Sequence, residues 1–239
     1  MKLSIIVPVF NEESTIRKVL DSLVKVDLKI KKEIIIIDDG STDISKKLIN
    51  QYIKENKTNI KFKFFSKSNG GKGSAIRKGI SISTGDIIAI QDADLEYNPQ
   101  DYRKLIKLIV DKKEKVVYGS RFLKKHKPLY KIYFLGNKFL TLLTEAIYRV
   151  RITDMETCYK VFKSDVIKKI KLEADHFDIE PEITAKLLKL GIRIKEVPIS
   201  YTPRSVKEGK KINWKDGLQA IWTLIYWRFK NTSVIHQNN

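Results

Sequence analysis

The chain has 239 residues, 42% hydrophobic and 31% charged, with no low-complexity tract or internal repeat, a balance that describes one globular domain and excludes a disordered or fibrous protein. Its 47 Lys and Arg against 28 Asp and Glu leave a formal charge of +19, so an anionic partner is expected: nucleic acid, lipid head groups or a phosphorylated substrate. One cysteine, Cys158, excludes an internal disulfide framework and a multi-cysteine metal site, and no uncharged apolar run reaches the roughly 18 residues of a membrane span. No signal peptide is expected either, because Met1-Lys2 leads straight into strand-like sequence.

Leu3 to Val9 reads as an apolar strand that Pro8, lacking a ladder donor, brings to its end. Asn11 is expected to cap the helix that follows, with Glu12 and Glu13 at its positive end and Ile16, Val19, Leu20 and Leu23 on its inner face. Ile34 to Ile37 is apolar throughout, the mark of a strand buried on both faces, and it runs into Asp38-Asp39-Gly40-Ser41-Thr42-Asp43, where Ser41 or Thr42 can cap a second helix. A third strand lies near Ile60 to Phe65. The glycine-rich Asn69-Gly70-Gly71-Lys72-Gly73-Ser74 precedes a short helix; its free backbone N–H groups can meet phosphate, yet it has neither P-loop nor G-x-G-x-x-G spacing, and a plain tight turn explains it as well.

Gly85 to Gln91 is an isoleucine-rich strand that ends in Asp92, Asp94 and Glu96. If the extended geometry persists, those three carboxylates share one face, and their mutual repulsion favours a divalent cation such as Mg²⁺ or Mn²⁺ among them; the alternative is a solvated acidic turn. Asn98-Pro99 starts a helix carrying Tyr102, Leu105, Ile106 and Ile109, and Val116 to Tyr118 is a further strand closing in Gly119-Ser120-Arg121. Strand and helix alternate, so the fold class is α/β with a mostly parallel sheet, and ligands are expected beyond the strands' C-terminal ends, where Pro8 to Glu12, Asp38-Asp39, Asp92 to Glu96 and Arg121 all lie.

Together, Ile5-Ile6-Val7-Pro8-Val9-Phe10-Asn11-Glu12, Asp38-Asp39-Gly40-Ser41-Thr42-Asp43, Gly85-Asp86, Asp92-Ala93-Asp94-Leu95, Gly119-Ser120-Arg121 and Asp154-Met155-Glu156-Thr157-Cys158-Tyr159-Lys160 resemble a family 2 glycosyltransferase of GT-A fold. The branch it is most similar to comprises the dolichol-phosphate mannose synthases and polyprenyl-phosphate glycosyltransferases. By that resemblance Pro8, Phe10, Glu12 and Asp39 hold base and ribose, while Asp92 and Asp94 hold the metal and diphosphate. Lys72 and Ala93 join the nucleotide-sugar set, and Glu96 is a third metal ligand, at a position where the family often has glutamine.

Lys124 to Val150 reads as one or two amphipathic helices, suited equally to a membrane interface and to packing on the sheet. In the resembling enzymes this region receives the lipid, and with a family arginine and serine replaced around Tyr130 and Phe134, Lys131 and Lys138 are the stand-in cations. Glu180 and Glu182 resemble an acidic pair on the acceptor side, before a helix ending at Gly191; His176 reads as a surface histidine. Arg193 to Tyr201 is an edge strand that leads into a basic loop, in which Arg204 and Lys210 match positions that clamp diphosphate. Trp214 to Lys230 is a C-terminal amphipathic helix whose Trp and Tyr suit a membrane interface and, almost as well, a core contact or a dimer, so a second copy of the chain or a membrane-protein partner is among the expected partners.

The expected organisation is a single domain over 1–230, with a nucleotide-sugar half at 1–122, an acceptor half at 123–230, and a tail at 231–239. The expected activity is inverting, metal-dependent transfer from a UDP- or GDP-sugar to a polyprenyl or dolichyl phosphate, with Asp92, Asp94 and Arg121 catalytic, by a protein peripheral on an anionic cytoplasmic membrane face. A sugar-hydroxyl acceptor with Glu180 or Glu182 as base is the rival. Nucleic acid is disfavoured, because carboxylates at the strand ends repel a phosphate backbone.

Overall fold

The computed structural model describes residues 1–124, 130–204 and 214–230. Strands β1 (Lys2–Val9), β2 (Lys31–Asp38), β3 (Lys61–Ser66), β4 (Ile87–Ile90), β5 (Val116–Ser120), β6 (Lys160–Lys163) and β7 (Ile194–Pro198) form one seven-stranded sheet of order β3-β2-β1-β4-β6-β5-β7. Every pairing is parallel except those of β6, which runs antiparallel between β4 and β5. With helices on its faces, this is the α/β architecture that the alternating elements predict.

Side chains along a strand alternate between faces, so an all-isoleucine strand must be covered twice. Ile34 and Ile36 of β2 join the main core, whereas Ile35 and Ile37 meet Ala75 of helix α3 (Lys72–Ile82) on the other side. Gly79 lets α3 lie close on β1: a Cβ there would sit 2.3 Å from Ile6 Cγ2. Helices α1 (Ile16–Lys25), α2 (Ser45–Glu55) and α4 (Tyr102–Val110) also follow their apolar stripes, and Asn98 Oδ1 accepts from the Gln100 amide (3.0 Å) to start the 3-10 turn before α4.

Two expected caps are corrected. Asn11 takes a left-handed φ of +50° and its side chain accepts from the Thr42 amide (2.8 Å), not from its own helix. Ser41 Oγ in turn accepts from the Asn11 amide (3.0 Å), while Asp43 accepts from Ser45 N (2.9 Å) at the start of α2. The loops after β1 and β2 thus cap one another across the sheet end. Pro8 does not stop β1, which continues to Val9 and pairs with Asp38.

The Lys124–Val150 region forms one helix, α5 (Lys131–Tyr148), and after the one-turn α6 (Ser164–Ile167) come α7 (Ile179–Lys189) and α8 (Trp214–Phe229). Leu140, Tyr148, Met155, Ala185, Ala220, Leu224 and Trp227 make a second core where α5, α7 and α8 meet, and Tyr148 Oη donates to the Leu224 carbonyl (2.8 Å). No helix among the described residues is long and apolar enough to cross a membrane.

At the opposite end of the sheet from the carboxylate-rich loops, buried Glu33 accepts from Lys2 Nζ (2.7 Å), Ser4 Oγ (2.6 Å) and the Thr84 amide (2.8 Å), tying β2 to β1 and to the chain before β4. Burial pushes its carboxyl up, but those hydrogen bonds outweigh it and hold the group at about 2, below the ordinary 4.5. A depressed folded value stabilises the fold above pH 4.5 and loses that stabilisation as pH falls through about 2. Glu33→Gln is expected to cost about 2 kcal/mol at neutral pH. Thermal denaturation followed by circular dichroism should show the gap from wild type narrowing steadily below pH 4.5.

Candidate active site

β4 ends at Ile90, and Asp92 to Glu96 is a turn with Leu95 at φ +64°. The three acidic residues therefore do not alternate on an extended strand; the turn aims them. Asp92 meets Lys72 Nζ, from the first residue of α3, at 2.9 Å, and Lys72 also reaches Glu180 Oε1 at 3.2 Å. The other Glu180 oxygen is held by buried Lys160 of β6, which donates as well to the Met155 and Thr157 carbonyls. Asp94 lies 3.4 Å from Arg204 Nη2, and Arg204 Nη1 meets Glu12 at 3.0 Å. Cations and carboxylates alternate through the cleft.

Burial opposes ionisation of Asp92, but the Lys72 ammonium outweighs it and holds the carboxyl below its usual range. Asp94 goes the other way: burial, with the negative Asp92 and Glu96 beside it, pushes it up to about 7. Glu96 accepts from Tyr201 Oη (3.0 Å) and the Arg204 amide (2.7 Å). Among the described residues no three His, Cys, Asp or Glu side chains form a set able to hold a metal. The oxygens of Glu96, the expected third ligand, secure the Arg204 loop. Asp92 and Asp94 are the hard-oxygen donors that remain, and they fit a cation that completes its shell with diphosphate oxygens.

Asp39 accepts from the Gly70 amide (3.1 Å) and the Gly71 amide (2.7 Å), so those two N–H groups of the glycine loop are taken up within the protein. Gly71, at φ +91°, lies where a Cβ would strike His176 Nδ1 at 2.3 Å. Pro8 and Phe10 stand at the end of β1 and Ala93 is buried between the two aspartates. Cys158 is buried, as a small core residue should be, and lies against Asp92.

On the acceptor side, two of the expected residues are engaged within the protein. Arg121 is buried, and its Nε (2.8 Å), Nη2 (2.7 Å) and amide (2.8 Å) all donate to Asp154, so its fork is taken up by an internal ion pair. Residues two apart on a helix point to opposite sides. Glu182 accordingly faces away from Glu180 and is wholly buried, paired with Lys186 and accepting from the Ala174 amide (2.8 Å). Lys131 opens α5 exposed, and Lys138 Nζ sits 4.2 Å over the Phe122 ring. Lys210 lies outside the described residues.

Lys160 and Glu156 were not legible as site residues. Glu156 is pushed up to about 7 by burial, and its Oε1 has no hydrogen-bond partner. A charged residue inside a four-residue strand carries no pattern of its own; only its motif hinted at it.

Residues 4–171 match the sequence profile of glycosyl transferase family 2. The chain belongs to that family. It is 31% identical over 247 residues to a dolichyl-phosphate beta-glucosyltransferase of Dictyostelium discoideum, covering 95% of this chain and 74% of that one. It is 24% identical to a dodecaprenyl-phosphate galacturonate synthase of Rhizobium johnstonii, over 96% and 68% of the two chains. Among solved structures, glucosyl-3-phosphoglycerate synthase from Mycobacterium tuberculosis with UDP superimposes at a TM-score of 0.74, with 18% identity over 95% of this chain and 80% of that one. The fold is GT-A and the protein is a glycosyltransferase with polyprenyl-phosphate glycosyltransferases among its relatives.

Because Arg121 of this transferase is buried against Asp154, Asp154→Asn leaves a buried guanidinium without its counter-charge, which costs about 3–5 kcal/mol. Chemical denaturation should show that loss with or without nucleotide present, marking the pair as structural.

Proposed function

We propose that this transferase moves a sugar from a nucleoside diphosphate sugar, of the UDP-glucose or GDP-mannose type, to a polyprenyl or dolichyl phosphate with inversion at the anomeric carbon. The observation that carries the reading is the placement of Asp92 and Asp94 beyond β4, each against a cation from a distant part of the chain. Mg²⁺ or Mn²⁺ bound at these two carboxylates would neutralise charge on the departing diphosphate. Arg204 and Lys210 supply further positive charge to it, Glu12, Pro8, Phe10 and Asp39 hold base and ribose, and Ala93 lies against the diphosphate. The glucosyl names among the relatives favour UDP-glucose; related crystal structures of the mycobacterial synthase contain Mn²⁺ and UDP-glucose.

Breaking the anomeric C–O bond sends its electron pair to the diphosphate while an acceptor oxygen attacks from the opposite face. A phosphate monoester is already anionic near neutral pH and needs no base, only positioning by cations such as Lys131 and Lys138. Lys160 and Lys72 occupy the two Glu180 oxygens, which leaves that carboxylate engaged within the protein and supports a phosphate acceptor. One observation favours a second reading, a hydroxyl acceptor: the Glu156 carboxyl, near 7 and without a hydrogen-bond partner at Oε1, is poised as a base.

Exposed Ile132, Leu135, Phe139 and Leu142 line one face of α5, and Leu218, Trp222 and Phe229 one face of α8. Apolar stripes on a chain of net charge +19 suit peripheral attachment to an anionic membrane surface, here proposed as the cytoplasmic face. The nucleotide-sugar half is then 1–122 and the acceptor half 123–230.

The test is transfer of labelled sugar from UDP- and GDP-sugars with Mn²⁺ into polyprenyl phosphate in detergent or into soluble glycans. Chloroform-extractable, mild-acid-labile label is expected, falling by about 100-fold or more in Asp92→Asn. Label in soluble glycan alone, abolished in Glu156→Gln, would establish the hydroxyl reading instead.

A further inference from the structure

Both proposed cation ligands are already in contact with protein cations. Lys72 lies 2.9 Å from Asp92, and Arg204 lies 3.4 Å from Asp94. Each of these side chains also holds a second carboxylate: Lys72 meets Glu180 at 3.2 Å and Arg204 meets Glu12 at 3.0 Å. Losing the aspartate would therefore leave each cation tethered at the site by its second partner.

Charge balance sharpens the point. Among the described residues, Glu12, Asp92, Asp94, Glu96 and Glu180 face Lys72, Lys160 and Arg204, so five carboxylates meet three cations and the cluster, when fully ionised, carries two negative charges in excess. A divalent cation cancels that excess. On its own, however, it must detach Lys72 and Arg204 from Asp92 and Asp94 and strand them with half their counter-charge, in a cleft where the Lys72 and Arg204 side chains are each only 15% exposed. A diphosphate alone adds negative charge to a site that already has too much. When the two arrive together, the cation takes Asp92 and Asp94 while the diphosphate takes Lys72 and Arg204, so neither protein cation is left with half its counter-charge.

We propose that Lys72 and Arg204 are exchangeable place-holders: they neutralise Asp92 and Asp94 until cation and donor arrive together, then pass to the donor's diphosphate, making the two ligands strongly interdependent. Lys72 is thereby a positioning residue of the donor site, held between Glu180 and the diphosphate. The inference rests on the donor-site reading above and extends it to the order and coupling of binding. Coupling is reciprocal, so the nucleotide must tighten the cation by the same factor as the cation tightens the nucleotide.

The experiment titrates Mn²⁺ against the full-length protein, reading free Mn²⁺ by electron paramagnetic resonance, with and without saturating UDP or GDP. Wild type should bind Mn²⁺ about 10-fold or more tightly when the matching nucleotide is present. Lys72→Met should bind Mn²⁺ alone about 10-fold more tightly than wild type and UDP or GDP more weakly, opposite signs that a general loss of structure does not produce. Arg204→Gln tests the second pair independently and serves if Lys72→Met does not fold, and Lys72→Arg should restore the wild-type pattern. Equal Mn²⁺ affinity with and without nucleotide in wild type, or unchanged or weaker Mn²⁺ binding in folded Lys72→Met and Arg204→Gln, overturns the exchange while leaving the donor site standing. Absence of Mn²⁺ binding even with both nucleotides overturns the metal-dependent reading and the exchange with it.

Discussion

Carboxylates cannot be gathered at one end of a sheet unless cations are threaded between them, and the cleft of this protein is built on that constraint. Lys160, Glu180, Lys72 and Asp92 form one alternating run, and Asp94, Arg204 and Glu12 another. Each contact is stronger in a water-poor cleft than in solvent, and each orphaned charge correspondingly more costly. Residues from β6, α7, α3, the turn after β4, the chain after β7 and the loop after β1 must therefore all be in place before any of them is satisfied. The site is in this sense a tertiary lock as well as a binding surface.

Hydrogen bonds to backbone amides and hydroxyls carry the positioning. The loops after β1 and β2 cap each other through Asn11, Ser41 and Thr42, and Asp39 draws in the glycine loop at Gly70 and Gly71, which sets α3 and hence Lys72. On the other side, Tyr97 bridges to Tyr201, Thr202 N donates to the Glu96 carbonyl (2.9 Å), and the Glu96 carboxylate takes Tyr201 Oη and the Arg204 amide. Arg204 reaches Asp94 and Glu12 because the turn that carries Asp94 also holds the backbone of Arg204.

The parallel half of the sheet was legible because buried-on-both-faces strands leave an unmistakable record: unbroken runs such as Ile34 to Ile37, each ending in polar residues. The carboxylates at those ends were legible for the same reason. Strand β6 was not, since Lys160 to Lys163 is too short for periodicity and its central position depends on partners more than 40 residues away on either side. The three carboxylates do come together, but the extended geometry expected of Asp92 to Glu96 failed because Leu95 turns the chain left-handed, a backbone choice an ordinary leucine does not announce. Glu180 and Glu182 looked equivalent in sequence, but helical geometry sends one into the cleft and the other into the base of α7.

Arg121 shows why position at a strand end is insufficient evidence of chemistry. After β5 the chain leaves the sheet, builds α5, and returns through Asp154 to enter as β6, antiparallel to the strand it left. The Arg121–Asp154 pair closes the two ends of that excursion, Ser120 Oγ and Thr153 Oγ1 lie 2.6 Å apart beside it, and Glu196 of β7 accepts from the Thr153 amide (2.7 Å). Because the excursion carries α5, whose exposed apolar face belongs to the proposed acceptor surface, this buried pair sets how that surface stands relative to Asp92 and Asp94. An arginine at a strand's C-terminal end reads from sequence as a ligand for anionic substrate; here a counter-ion, Asp154, is already built in beside it, and the pair also fixes the placement of a helix.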